Sequence, residues 1–200
     1  MLRLTNEPPN VEIATSWSFG ENRAVAREEP THELTTLVRA ARGGDERAFE
    51  RLYDRFGRMV HGIMLARIPR LHVDDLVQEV FLAAWQRLDR LRDDEAFGGW
   101  LAMIARNRAT DFHRQSVEYV AFDEDSAAPE TSPTASIEAL RALAAIRSLP
   151  EAYRETLVLR LVEGMTGPEI AERTGLTAAS VRVNLHRGMK LLREKLGVER

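Results

Sequence analysis

Asp75, Gln78, Glu79 and Leu82 fall at positions i, i+3, i+4 and i+7 of the stretch VDDLVQEVFLAAWQRL, a spacing that brings side chains onto one stripe of a helix. Three polar groups and one exposed apolar group suit docking against a basic partner helix, and the same spacing also fits an ordinary solvated face. His72, Asp74, Asp75 and Glu79 would suit a divalent cation, as in a nuclease, but no second acidic cluster or supporting histidine recurs to complete such a site. The chain offers no nucleophile paired with a base and no phosphate-cradling glycine loop. The chemistry expected is binding rather than catalysis, with no metal and no cofactor.

A second group of side chains lies in MTGPEIAERTGLTAASVRVNLHRGMKLLREKL. Thr166 stands three residues before Glu169, the spacing of a capping box, and Pro168 falls in the first turn of the short helix that follows. Gly175 supplies the positive φ that ends this helix, and Thr177 caps the next. Along that second helix Val181, Leu185, Gly188 and Leu192 recur near one face and are expected to pack against Ile170, Ala171 and Leu176. The opposite face presents Ala179, Arg182, Val183, His186, Arg187 and Lys190. Guanidinium forks for guanine, cations for phosphate and small apolar groups for a thymine methyl are what a major-groove reader needs. The plain alternative is an α-hairpin with a solvated basic face, against which the exposed Ala179 and Val183 argue.

The elements that must carry these residues are helical. Residues 1–32 hold Pro8, Pro9, Gly20 and Pro30 and no sustained apolar period, so a loose tail is expected there. From Glu33 the helical period begins: Leu34, Leu37, Val38 and Ala41 share a face before the Gly43-Gly44 stop, and Asp45 is placed to cap the next helix. That helix has Phe49, Leu52, Tyr53, Phe56, Val60 and Met64 on one stripe and ends by Pro69. Leu76, Val80, Ala84 and Leu88 line a third, and Leu101, Ile104, Ala105 and Phe112 suit burial in a fourth, giving a bundle over residues 33–117. From Glu118 to Glu138 there are six acids and no base, with two prolines, so residues 118–136 read as an acidic linker. Helical period resumes at Ile137 with Leu140, Leu143, Ala144 and Ile146. Pro150 then falls at the first turn of EAYRETLVLRLVEG, and a helix-turn-helix domain follows over residues 137–195, with 196–200 as a tail. No segment alternates as a strand does. The fold class expected is all-α, two small helical domains joined by a flexible acidic linker.

With no cysteine, the chain excludes disulfides, thiolate zinc ligation and cysteine-based redox sensing. Nothing approaches the ~20 unbroken apolar residues of a membrane span, and MLRLTNEPPN lacks the apolar core of a secretory signal, so a cytoplasmic protein is expected. A formal net charge of -3 carries little weight against nucleic-acid binding, because clustering on one face decides that.

The runs DDLVQEVFLAAW, FGGWLAMIARNRATDFHR and LPEAYRETLVLRLVEGMTGPEIAERTGLTAASVRVNLHRGMKLLREKL, in this order, closely resemble a bacterial sigma-70-family sigma factor of the extracytoplasmic-function (ECF) group. The resemblance covers about residues 33–117 and 137–195. It implies a non-enzymatic subunit that joins core RNA polymerase and directs transcription initiation, the first domain taking the -10 promoter element and the second the -35 element. It also assigns Asp75, Gln78, Glu79 and Leu82 to docking on the clamp helices of the polymerase largest subunit, adds the polymerase flap as a contact, and makes an anti-sigma factor an expected partner. In the -10 region it implies a base pocket from Arg92, Asp93, Asp94 and Glu95, with Asn107 helping to hold a flipped base and Arg106, Arg108 and Arg114 holding the backbone. In the -35 region it adds Thr177 and Ser180 to the face already described. Where housekeeping relatives carry paired aromatics for strand opening, this chain has Met103 and Ile104, which implies weak melting and strict promoter choice. The rival expectations are a stand-alone helix-turn-helix regulator, which would bind an operator tightly without polymerase, and a helical adaptor that binds protein only.

Overall fold

The computed structural model describes residues 28–120 and 137–197. Most of the expected N-terminal tail and acidic linker therefore lie outside the described residues. Among the described residues all regular structure is helical, as the sequence pattern requires. Helix α1 (Glu28–Arg42) starts ahead of the expected boundary at Glu33. Pro30 is accommodated in its first turn, where a missing N–H leaves no hydrogen bond unmade. The Asp45 carboxylate accepts from the backbone N–H of Arg47 at 3.0 Å and of Ala48 at 3.2 Å and so starts α2 (Glu46–Leu65).

Helix α2 is the axis of the first domain, with α1, α3 (Val73–Gln86) and α4 (Phe97–Val120) packed around it. Leu52, Met59, Ile63, Met64, Phe97 and Leu101 are fully buried between them, and the Phe56 and Phe97 rings meet edge to face at 5.1 Å. Helix α4 runs to Val120, into the start of the predicted linker. Trp100 packs half-buried against this core, 5.9 Å from the Phe97 ring, in keeping with an indole used for packing. Four of the residues expected inside are not fully buried: Tyr53 is 42% exposed, with its ring on Phe81, while Phe49, Ile104 and Phe112 are half-buried, Phe112 against His72.

The second domain is α5 (Ile137–Arg147), α6 (Glu151–Leu161), α7 (Gly167–Thr174) and α8 (Ala178–Leu196). Pro150 is the residue that caps α6 rather than one inside its first turn. Ala144 faces solvent, whereas Ile146 and Leu149 close the core with Leu157, Leu159, Ile170, Val181 and Leu192. The two domains are docked as well as connected: α6 and α7 lie against α2, and α7 also lies against α4.

Candidate nucleic-acid and polymerase interfaces

Helices α7 and α8 form the helix-turn-helix that the spacing predicts. Thr166 and Glu169 make the reciprocal capping box, the Thr166 N–H donating to Glu169 Oε2 at 2.7 Å and the Glu169 N–H to Thr166 Oγ1 at 3.4 Å. These Thr166 donors, backbone first and hydroxyl second, hold the Glu169 carboxyl below the usual carboxylate range. Gly175 ends α7 at φ +73°, in the left-handed region where a Cβ is penalised. Thr177 then caps α8, accepting from the Ser180 N–H at 3.1 Å and donating to the Ser180 hydroxyl at 2.8 Å. With Val181, Gly188 and Leu192 buried, Ala179, Arg182, Val183, His186, Arg187 and Lys190 all point to solvent. Val183 is 41% exposed on this face. Thr177 and Ser180 are exposed at its edge, their hydroxyls already engaged in the cap.

Helix α3 presents the acidic stripe outward. Asp75, Gln78 and Glu79 are exposed, and Leu82 stands 58% exposed beside them, while Leu76, Val80 and Ala84 are buried. Glu79 receives Arg108 of α4 at 2.5 Å, which joins this stripe to the adjoining face of α4.

On the other expected face the loop acids divide into two kinds. Asp94 is tied to α1 by Arg39 Nε at 2.8 Å and Arg42 Nη2 at 2.6 Å, and Arg42 also donates to the carbonyls of Leu88 and Leu91. Burial pushes the Asp94 carboxyl up, but the bonds from Arg39 and Arg42 outweigh it and hold the group below its ordinary value. Asp93 accepts from the Glu95 N–H at 3.0 Å and so caps the short 3₁₀ turn Asp94–Ala96. Asp94 thus anchors the loop, while Arg92, Asp93 and Glu95 lie exposed on it. On α4, Asn107 is exposed, Met103 is 50% exposed and Ile104 is half-buried. Arg114 reaches toward Asp111 one turn back, and Arg106 turns toward the second domain.

Comparison with known proteins decides what this arrangement belongs to. Residues 52–117 match the family model for sigma-70 region 2 and residues 139–192 the model for sigma-70 region 4. The chain is similar to the ECF RNA polymerase sigma-E factor of Escherichia coli, 30% identical over 176 residues that cover 80% of this chain and 92% of that one. It belongs to the ECF group of the sigma-70 family. The RNA polymerase sigma factor CnrH of Cupriavidus metallidurans is 32% identical over 172 residues, covering 76% of this chain and 87% of CnrH. A solved structure of CnrH in complex with the cytosolic domain of CnrY aligns at a TM-score of 0.59 and 28% identity, covering 84% of this chain and 99% of that one. The sigma factor RpoE of Bartonella quintana, solved with the anti-sigma factor NepR, shares the fold at a TM-score of 0.55, 21% identity and coverage of 76% and 97%.

The sigma factor therefore carries α8 in its region 4 and the α3 stripe and α4 in its region 2. The two regions meet around Glu155 of α6. Glu155 is 6% exposed and its carboxylate accepts from Arg106 Nε at 3.0 Å, Arg106 Nη2 at 2.7 Å and Arg67 Nη2 at 3.1 Å. Burial pushes this carboxyl up, but Arg106 first and Arg67 second overcome that and keep it ionised below its usual range. Arg67 also pairs with Glu151, and beside it a cleft of about 700 Å³ is lined by Thr110, His113, Arg114 and Arg154. Sequence reasoning missed Glu155 and Arg67 altogether, since nothing local distinguishes them from other charged helix residues.

Proposed function

We propose that the chain divides its work as a promoter-specificity subunit between three surfaces. The α3 stripe of Asp75, Gln78, Glu79 and Leu82 docks on the clamp helices of core RNA polymerase, and region 4 also meets the flap. The loop at 92–95, with Asn107 and the arginines of α4, handles the -10 element. The α8 face of Thr177, Ala179, Ser180, Arg182, Val183, His186, Arg187 and Lys190 reads the -35 element. The observation that carries this reading is the α8 face, where basic and small apolar side chains stand exposed together while the alternating positions fill the core.

The protein acts through binding free energy and not through bond making: engaging one promoter element raises the local concentration of the second domain at the other. The span from Glu28 to Val120 serves as the region 2 domain and that from Ile137 to Leu196 as the region 4 domain, with the residues ahead of Glu28 as an extension, those between Val120 and Ile137 as the acidic linker and those after Leu196 as a tail. We place it in the cytoplasm, where polymerase is; among the described residues no helix is long and apolar enough to cross a membrane. A protein partner that holds it inactive, as an anti-sigma factor does, belongs to the same proposal; CnrH was itself solved with a bound protein, the cytosolic domain of CnrY.

Run-off transcription tests the reading. Core RNA polymerase supplemented with the chain is expected to start at a defined set of promoters in the genome of its own organism, and the start sites should share a -10 and a -35 motif. Tight specific binding of duplex DNA by the free chain, with no effect on polymerase, would favour a stand-alone regulator instead.

A further inference from the structure

We infer that an ionic clasp centred on Glu155 holds regions 2 and 4 together in the free protein and withholds Arg106 from the -10 strand until the domains separate. The inference rests on the promoter-binding reading of α4 given above.

A carboxylate that loses its water costs several kcal/mol unless its lone pairs are filled by well-placed donors. Glu155 meets that condition with three donors from two guanidiniums, both on region 2. The Nε–Nη2 edge of Arg106 is filled on the same carboxylate, so in this state the side chain is held toward α6 and cannot present that edge to a phosphate. An apolar interface of the same extent would lose its full burial free energy on opening. Here the separated carboxylate and guanidiniums regain hydration, which offsets much of the lost attraction and makes the contact reversible.

Further polar contacts cross the junction beside the apolar packing of Leu159 on Gly62. His61 Nδ1 lies 2.6 Å from Glu163 Oε1, and Arg55 reaches Glu172 at 3.4 Å. Arg173 donates to the Arg55 carbonyl at 2.9 Å, and Arg147 donates to the carbonyls of Leu65 at 3.0 Å and Ile68 at 2.6 Å. Two glycines allow the backbones this close: a Cβ on Gly62 would stand 2.6 Å from Leu159 Cδ2, and one on Gly98 would stand 2.6 Å from the Arg173 carbonyl oxygen. The α8 face stays exposed throughout. The closed state is therefore asymmetric, open at the -35 reader and masked at Arg106.

The absence of native cysteine provides the test. Ala109 is 1% exposed and lines the interdomain cleft, and Ala84 is fully buried inside region 2. Alkylation of Ala109→Cys reads domain opening, and alkylation of Ala84→Cys reads unfolding of region 2. In the full chain, Glu155→Gln on one side of the clasp and Arg67→Met on the other are each expected to speed labelling at 109 on the order of a hundredfold, the effect of breaking one partner of a buried pair. Labelling at 84 should stay unchanged. Glu155→Gln should also bind a single-stranded -10 probe at least about tenfold more tightly than the unaltered chain, the factor that release of one charge-assisted Arg106 contact supplies. Equal acceleration at both sites, no acceleration at 109, or unprotected labelling at 109 in the unaltered chain overturns the clasp. Opening without a gain on the probe overturns the masking. The labelling arm uses neither DNA nor polymerase, so its failure is distinct from failure of run-off transcription, which would overturn the underlying reading.

Discussion

Replacing Gly98 by Ala adds one methyl group at a close approach between the two domains. The new Cβ would lie 2.6 Å from the Arg173 carbonyl oxygen and 3.0 Å from Phe56 Cε1. The ring can give by a few tenths of an ångström inside region 2, and does so whether the domains are open or closed. The carbonyl belongs to the α7 backbone of region 4 and has no rotamer with which to retreat. Overpacking of this kind costs about 1–3 kcal/mol, which lowers the closed-to-open ratio by about 5- to 150-fold. Alanine also raises helix propensity by up to about 1 kcal/mol over glycine. That gain acts equally on both states and leaves the ratio alone. The assay is the alkylation rate at Ala109→Cys with and without Gly98→Ala, beside Ala84→Cys as the unfolding reporter. Acceleration confined to position 109 is expected. An unchanged rate at 109, or the same acceleration at both positions, would show that the clash is absorbed within one domain and refute the reasoning.

The junction should also respond to pH through His61. The bond to Glu163 raises its pKa, burial opposes the rise, Asp74 adds to it and Arg70 subtracts, while Arg58 competes for the same Glu163. A raised folded-state value means that the stabilisation is complete below the unfolded value of about 6.5 and is lost as pH climbs through the folded one. Labelling at 109, normalised to the denatured thiol at each pH, is expected to speed up above about pH 6.5, and Glu163→Gln should abolish that dependence. Arg182→Ala with Arg187→Ala is expected to cut run-off from a promoter that depends on its -35 element by at least about tenfold, since each base-reading arginine is worth about 1–3 kcal/mol; co-elution with polymerase should not change. Asp94→Ala removes the carboxylate that joins the loop to Arg39 and Arg42 and is expected to cost about 1.5–3 kcal/mol in urea unfolding, the worth of hydrogen bonds to a charged group.

The parts of this molecule that sequence makes legible are those with local causes. The Thr166–Glu169 capping box, the Gly175 stop and the Thr177 cap depend on neighbours within four residues, and α7 and α8 lie where that grammar puts them. The buried and exposed sides of α3 and α8 follow from period alone. Periodicity identifies a face better than its edges, which is why Tyr53 and Ala144 stand in solvent although they share a stripe with core residues. The linker boundary at 118 rested on a change of composition, yet helical hydrogen bonding carries α4 on to Val120. The clasp was not legible at all. Glu155 sits 88 residues from Arg67 and 49 from Arg106, and in the sequence it is one of the two acids of α6, with no local feature to mark it. Asp94 is similar: adjacent to Asp93 and Glu95 it reads as pocket chemistry, whereas its partners on α1 make it an anchor.

The most direct test of the central claim is co-elution of the purified chain with bacterial core RNA polymerase, beside a variant carrying Asp75→Lys, Gln78→Ala and Glu79→Lys. All three side chains are exposed on α3, and the one ion pair lost among the described residues, Glu79 (50% exposed) with Arg108 (27% exposed), is worth about 1 kcal/mol at the surface, so the variant should fold. The account predicts that the unaltered chain co-elutes and the variant does not. A folded chain that fails to bind polymerase at all, or a variant that binds as well as its parent, would contradict it.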